Sequence, residues 1–161
     1  MQNRRVYKIS EAKSRIKNYC AVQDRCQWDV RKKLTEWGLM KSTKDMLMIE
    51  LINEQFIDEE RYARSFCRGK FKIKKWGKRK IAFELKKKKI SAVCIQKGME
   101  EIDEKEYFSE LEIQAEKKNK LIKDKNHFSR KSKLAKHLID KGYESDLVWE
   151  KIKAIYSKQS T

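Results

Sequence analysis

Proline is absent from this sequence of 161 residues, and glycine occurs only five times. Long β-rich folds need turn residues at many points, and the two strongest turn formers are scarce here. Lysine, glutamate, leucine, alanine and arginine, which are good helix formers, fill the chain instead. The composition therefore predicts an all-α fold.

Cysteine and histidine are too few and too scattered for a metal site. None of the four cysteines belongs to a C-x-x-C pair, and the only histidines are His127 and His137. The chain also lacks a recognisable Ser-His-Asp arrangement and a phosphate-cradling glycine loop. We therefore expect no catalytic, cofactor or metal site, and we interpret the cysteines as mostly buried thiols in a reducing compartment.

Long apolar runs are missing as well, so no segment is expected to span a membrane. The opening residues MQNRRVYK carry charge with no apolar run behind them, which is not the pattern of a signal peptide. The sequence thus predicts a cytoplasmic protein.

Acidic residues are too few to balance the cations. The chain has 41 Lys and Arg against 24 Asp and Glu, a net charge of +17. Such a charge favours a polyanionic partner, either nucleic acid or an anionic membrane, and the alternative is a soluble lysine-rich protein without one. Acids dominate residues 99–116 and cations dominate 117–141, so a partner with its own charge pattern is expected.

A repeat with a period of about 45 to 50 residues organises what is present. Three segments open alike, at Ile9-Ser10-Glu11, Ile57-Asp58-Glu59 and Ile102-Asp103-Glu104. Ser10, Asp58 and Asp103 are predicted N-caps, since their side chains can accept bonds from the free amides of a first helical turn. A second helix follows each opening, with equivalent buried leucines at Leu34, Leu85 and Leu138.

The repeat predicts an elongated monomer of three tandem three-helix units, with about nine helices in all. The predicted boundaries are 1–55 with a short basic N-terminal tail, 56–101 as the most basic unit, and 102–161 with a frayed C-terminus. A unit of this size cannot bury a sufficient core alone, so the units should share one by stacking.

The stretch FKIKKWGKRK, residues 71–80, has six cations and no acid. We interpret residues 68–75 as a helix end followed by a loop, and Trp76-Gly77 as the turn into the next helix. The Trp76 side chain either packs into the core and anchors this turn or contacts a ligand. Phe83 lies off the apolar stripe of the next helix, so it either packs against a neighbouring unit or contacts a partner or a base.

The predicted partner-binding or nucleic-acid-binding residues are the cations of this segment and of the helix after it, with Phe83 and a second basic stretch. They are Arg68, Lys70, Lys72, Lys74, Lys75, Lys78, Arg79, Phe83, Lys86, Lys87, Arg130, Lys131 and Lys133.

The motifs FIDEERYA and GKFKIKKWGKRKIAFELKKKKIS resemble the RecX family of bacterial regulatory proteins. The matched positions are Phe56, Ile57, Asp58, Arg61, Tyr62, Ala63, Gly77, Ile81, Leu85 and Ile90, and Lys89 stands where the family has glycine.

The resemblance implies a protein that binds the RecA recombinase and its filament on single-stranded DNA. It implies inhibition of the recombinase and coprotease activities of RecA, and hence regulation of DNA recombination, DNA repair and the SOS response. The alternative is a helical module that binds single- or double-stranded DNA without a dedicated protein target, and an enzyme is a third reading. No helix rich in Asn, Gln and Arg stands out as a DNA-recognition helix.

Overall fold

The computed structural model describes residues 7–159, and within them the chain forms nine α-helices and no strand. The predicted all-α fold with about nine helices is thereby confirmed. The predicted basic tail lies mostly outside the described residues, as does the end of the predicted frayed C-terminus. The helices are α1 Ile9–Val22, α2 Gln27–Glu36, α3 Lys41–Asn53, α4 Glu59–Lys72, α5 Lys78–Lys87, α6 Ala92–Met99, α7 Glu104–Leu121, α8 His127–Asp140 and α9 Ser145–Gln159.

Packing divides the chain into two compact units. Unit 1 holds the residues up to Ser65 together with Leu85–Gly98, and unit 2 holds Phe66–Glu84 together with the residues from Met99 onward. Helices α4 and α5 each contribute residues to both units. The repeat boundaries 1–55, 56–101 and 102–161 stay a prediction, because a division by packing differs from a division by repeat.

Two of the three predicted N-caps form as expected. Asp58 accepts a hydrogen bond from the amide of Arg61 at 2.9 Å, and Asp103 accepts one from the amide of Glu106 at 3.0 Å. The prediction for Ser10 is wrong, because α1 already begins at Ile9 and Lys8 is its N-cap residue. Ser10 therefore lies inside the first turn.

The second helix of each repeat ends in the same left-handed turn. Gly38 and Gly142 have φ values of 76° and 105°, and Lys89 adopts a φ of 62° without being glycine. A left-handed lysine is less favourable than a glycine by about 1 kcal/mol. In each turn an amide donates to a leucine carbonyl five residues earlier, from Leu39 to Leu34 (3.3 Å), Ile90 to Leu85 (3.2 Å) and Tyr143 to Leu138 (3.1 Å).

The same three leucines lie in the cores. Leu34, Leu85 and Leu138 are completely buried. Around Leu34, unit 1 buries one cluster of apolar side chains: Ile16, Cys20, Val30, Leu47, Met48, Leu51 and Ile57. The repeat alignment that the sequence predicts at these leucines is therefore matched by their burial.

Three of the four cysteines are buried and Cys94 is half-buried. Burial raises the pKa of the Cys20 thiol to about 11 and those of Cys26 and Cys67 to about 12. These three thiols stay protonated at neutral pH and are therefore poor nucleophiles. No helix of residues 7–159 is long and apolar enough to cross a bilayer.

We expect Leu85→Ala to lower the free energy of unfolding by about 2–5 kcal/mol, because it opens a cavity at a fully buried site. Leu121→Ala is the matched control, since Leu121 is 71% exposed. Denaturant titration measures both. A loss below about 0.5 kcal/mol for Leu85→Ala would contradict the core position assigned to Leu85.

Candidate functional site

Most of the predicted contact residues lie on one segment of unit 2, which we call the basic segment, Arg68–Lys80. It comprises the end of α4, a turn at residues 73–77 and the start of α5. Residues 68–75 are therefore a helix end followed by a turn, as predicted from the sequence.

The turn closes around Trp76. Lys75 adopts a left-handed φ of 59°, and the Trp76 amide then donates to the carbonyl of Lys70 at 3.1 Å. Two ammonium groups contact the half-buried indole, with Lys70 Nζ 4.9 Å and Lys80 Nζ 4.4 Å from the ring centroid. Each cation–π contact contributes about 0.5–1 kcal/mol at such a site, so Trp76 restrains both lysines.

The start of α5 meets the last turn of α8 through two glycines. The amides of Gly77 and Arg79 donate to the carbonyls of Lys141 and Gly142, both at 2.9 Å. A Cβ on Gly77 would lie 2.2 Å from the backbone of Gly142, and a Cβ on Gly142 would lie 2.4 Å from the Cβ of Lys80. The two backbones can therefore approach this closely only because both residues lack a side chain.

Two buried tyrosines fix the segment from the side of the third repeat. The hydroxyl of Tyr107 accepts from the Lys78 amide at 3.0 Å and donates to Glu144 Oε2 at 2.8 Å. The hydroxyl of Tyr143 donates to the Lys75 carbonyl at 3.0 Å. Burial raises the pKa of Tyr107 and of Tyr143 well above the usual range, so both hydroxyls keep the proton that these bonds require.

Some cations of the basic segment already have partners. Arg68 pairs with Glu101 at 3.2 Å, Lys75 lies 3.6 Å from Glu110, and Lys78 Nζ lies 4.7 Å from the centroid of the Tyr107 ring.

Three others do not. Lys72, Lys74 and Arg79 are exposed and, within residues 7–159, no acidic side chain pairs with them. The segment therefore presents uncompensated positive charge on a backbone that hydrogen bonds fix in place.

Phe83 and the last cations of α5 have a different setting. Phe83 is 60% exposed, which leaves open both interpretations given above. Lys86 and Lys87 are exposed, but they belong to the part of α5 that packs in unit 1. The contact role predicted for Lys86 and Lys87 stays a prediction.

The second predicted cluster separates into an internal residue and two surface residues. The guanidinium of Arg130 donates to the carbonyls of Asn119 (2.8 Å), Asp124 (3.0 Å) and Ile122, and so satisfies the C-terminal end of α7. We therefore leave Arg130 out of the candidate contact surface. Lys131 Nζ lies 5.1 Å from the Tyr156 ring centroid, and Lys133 pairs with Asp124 at 2.7 Å.

Sequence patterns did not identify the residues that hold the basic segment in place. They indicated Asp103 as the start of the helix that carries Tyr107, and they gave no role to Tyr143 or Glu144. The available signal was Gly77, because a glycine beside a bulky tryptophan and before a helix can mark a close backbone approach. Nothing local identified Gly142 as the partner.

We expect Gly77→Ala to lower the free energy of unfolding by at least about 1–3 kcal/mol, since its Cβ would press on backbone that cannot move aside. The basic segment should then become a substrate for trypsin in the folded protein. Denaturant titration and limited proteolysis measure the two effects.

Gly69→Ala is the matched control. Gly69 lies within α4, and a Cβ at this position would have no neighbouring atom within 4 Å, so alanine there should stabilise the helix by about 0.5–1 kcal/mol. If Gly77→Ala is as stable and as resistant to trypsin as the parent, the glycine contact does not order the segment.

Residues 58–99 match the family model described as RecX, second three-helix domain. The chain is also similar to two proteins named Regulatory protein RecX. It is 25% identical to the one from Prosthecochloris aestuarii over 139 residues, which cover 86% of this chain and 89% of that protein. It is 27% identical to the one from Clostridium acetobutylicum over 153 residues, which cover 92% of this chain and 71% of that protein.

Two solved structures share the fold. A crystal structure of RecX from Lactobacillus salivarius superposes with a TM-score of 0.78 at 22% identity, covering 91% of this chain and 95% of that one. A crystal structure of regulatory protein RecX gives a TM-score of 0.81 at 25% identity, covering 91% and 71%. Together with the sequence matches, these findings confirm that the chain resembles the RecX family of regulatory proteins, as its motifs indicated.

Proposed function

We propose that this protein binds the RecA filament on single-stranded DNA and inhibits the recombinase and coprotease activities of RecA. Similarity to proteins named Regulatory protein RecX supports the regulatory role, and the family resemblance supplies RecA as the target. In this proposal the protein acts in the cytoplasm as a monomer and by binding rather than by catalysis.

The observation that carries the proposal is the ordered basic segment. Lys72, Lys74 and Arg79 stand on backbone that is fixed at both ends, and no acid compensates them in the part of the chain that the structure describes. A preordered segment loses less conformational entropy when it binds. Its positive field speeds association with an anionic groove and favours that surface over others.

The alternative is a helical nucleic-acid-binding module without a protein target. The same segment favours it too, because cations on an ordered turn can neutralise the phosphates of single- or double-stranded DNA. The two functions differ in what they require of RecA, and that difference can be measured.

We expect the combined change Lys72→Gln, Lys74→Gln and Arg79→Gln to weaken inhibition of the RecA ATPase at least tenfold. This corresponds to only about 1.4 kcal/mol spread over three contacts. Lys75 is left unchanged, because it adopts the left-handed conformation and pairs with Glu110. Folding stability should hardly change, since the three side chains are exposed.

The matched control is Lys41→Gln, Lys97→Gln and Lys153→Gln, which removes the same charge from exposed positions elsewhere. An equal loss in the control would mean that net charge, and not the segment, matters. Full inhibition by the first variant would move the contact surface away from this segment, and the basic stretch 117–141 would become the better candidate.

A direct comparison of ligands separates the proposal from its alternative. We expect this protein to bind RecA filaments more tightly than bare single-stranded DNA at the same salt concentration. Contact with single strands alone would lose about 0.7 log units of affinity per log unit of salt for each phosphate neutralised. Fluorescence anisotropy over a salt series measures both affinities, and equal affinities throughout would support the nucleic-acid module.

A further inference from the structure

A groove of about 480 Å³ runs along unit 2 between the end of α7 and one face of α8. Ligand sites commonly have volumes of about 300–1,000 Å³. The α8 wall consists of residues four and three apart along one helix face, and the other wall is the last turn of α7 with the chain that follows it. The lining residues are Lys118, Leu121, Ile122, Lys123, Asp124, Lys133, Lys136, His137 and Asp140.

Cations outnumber acids in this groove. Lys118, Lys123, Lys133 and Lys136 line it against two aspartates, and each aspartate is already bound. Lys133 pairs with Asp124 and Lys136 with Asp140, both at 2.7 Å. An ammonium has three N–H donors, so each paired lysine keeps donors for another anion.

The wall that carries this charge is held in place. Arg130 donates to carbonyls at the C-terminal end of α7 and to the carbonyl of Asp124. Its positive charge therefore compensates the negative end of the helix dipole. The Asp124 carboxylate accepts from Lys133 and from the hydroxyl of Ser129, and these bonds lower the pKa of Asp124. The lysines therefore line a site in which each aspartate is already paired with a lysine.

One apolar side chain breaks the charged lining. Leu121 is 71% exposed and lies at the groove, next to the buried Ile122. An inorganic anion gains nothing from a leucine, whereas a nucleotide brings sugar and base surface beside its phosphate. Charge complementarity and this apolar contact together favour a nucleic-acid strand.

We propose that this groove binds the phosphate groups of single-stranded nucleic acid, with its lysines on the phosphodiesters and Leu121 against a sugar or base. The site is distinct from the basic segment, and it needs no RecA. Its test therefore uses the protein alone and can fail independently of the proposed function.

His137 provides a local reporter in the groove. Burial lowers the pKa of its half-buried imidazole, the charges of Lys118 and Lys141 lower it further, and Asp140 opposes them. A phosphate placed in the groove favours the protonated ring and must raise the pKa of His137. By linkage the ligand then binds more tightly as pH falls through that pKa. The sequence has only two histidines, and His127 packs instead against Tyr156 with ring centroids 5.7 Å apart.

The experiment follows both imidazoles by NMR over a pH series, with an oligothymidylate of about eight nucleotides and with inorganic tripolyphosphate as probes. We expect the oligonucleotide to raise the pKa of His137 and to leave the signal of His127 in place. Oligonucleotide binding without a change at His137 would overturn the groove as its site. A shift caused by tripolyphosphate alone would overturn the nucleic-acid assignment and leave a small-anion site.

Variants test the two kinds of contact separately. Lys123→Gln with Lys136→Gln should weaken oligonucleotide binding about tenfold at the groove, which corresponds to about 1.4 kcal/mol, and reduce the shift of His137. Leu121→Ala should weaken binding of the oligonucleotide and leave binding of tripolyphosphate unchanged. Lys105→Gln with Lys153→Gln, two exposed lysines of α7 and α9, is the charge-matched control. Equal behaviour of this control and the groove variant would overturn the proposal.

Discussion

The close backbone approach of Gly77 to Gly142 is the constraint on which unit 2 depends. The start of a helix has amides without acceptors, and the end of a helix has carbonyls without donors. Here the two ends satisfy each other, which they can do only because no Cβ separates them. The hydrogen bonds of the two tyrosines with the Lys75 carbonyl and the Lys78 amide then fix a lysine-rich turn. Without them, repulsion between the lysines would favour a more open conformation of this turn.

Unit 2 thus carries two cationic surfaces of different chemistry. In the basic segment, Lys72, Lys74 and Arg79 stand without acids on a fixed turn, which suits a strong field that acts at a distance. In the groove, acids hold lysines in place beside an exposed leucine and a histidine, which suits a ligand in contact. The net charge of +17 alone identifies neither surface, because a soluble lysine-rich protein without a partner could carry the same charge.

The features that sequence predicted correctly are local ones. The caps at Asp58 and Asp103 and the buried leucines of the second helices each depend on residues within one or two helical turns. The contact of Gly77 could not be predicted, because its partner Gly142 lies 65 residues further along the chain and no local pattern links the two. Charge patterns likewise did not reveal that Arg130 satisfies a helix end, since that role depends on where α7 stops.

The hydrogen bond from Tyr143 to Lys75 joins residues 68 positions apart. During synthesis the lysine-rich turn therefore leaves the ribosome well before the residues that hold it. Until α8 and Tyr143 follow, the nascent chain exposes a dense cationic segment close to ribosomal RNA. The position of Tyr143 along the chain thus delays the appearance of a rigid basic surface until α8 has been made.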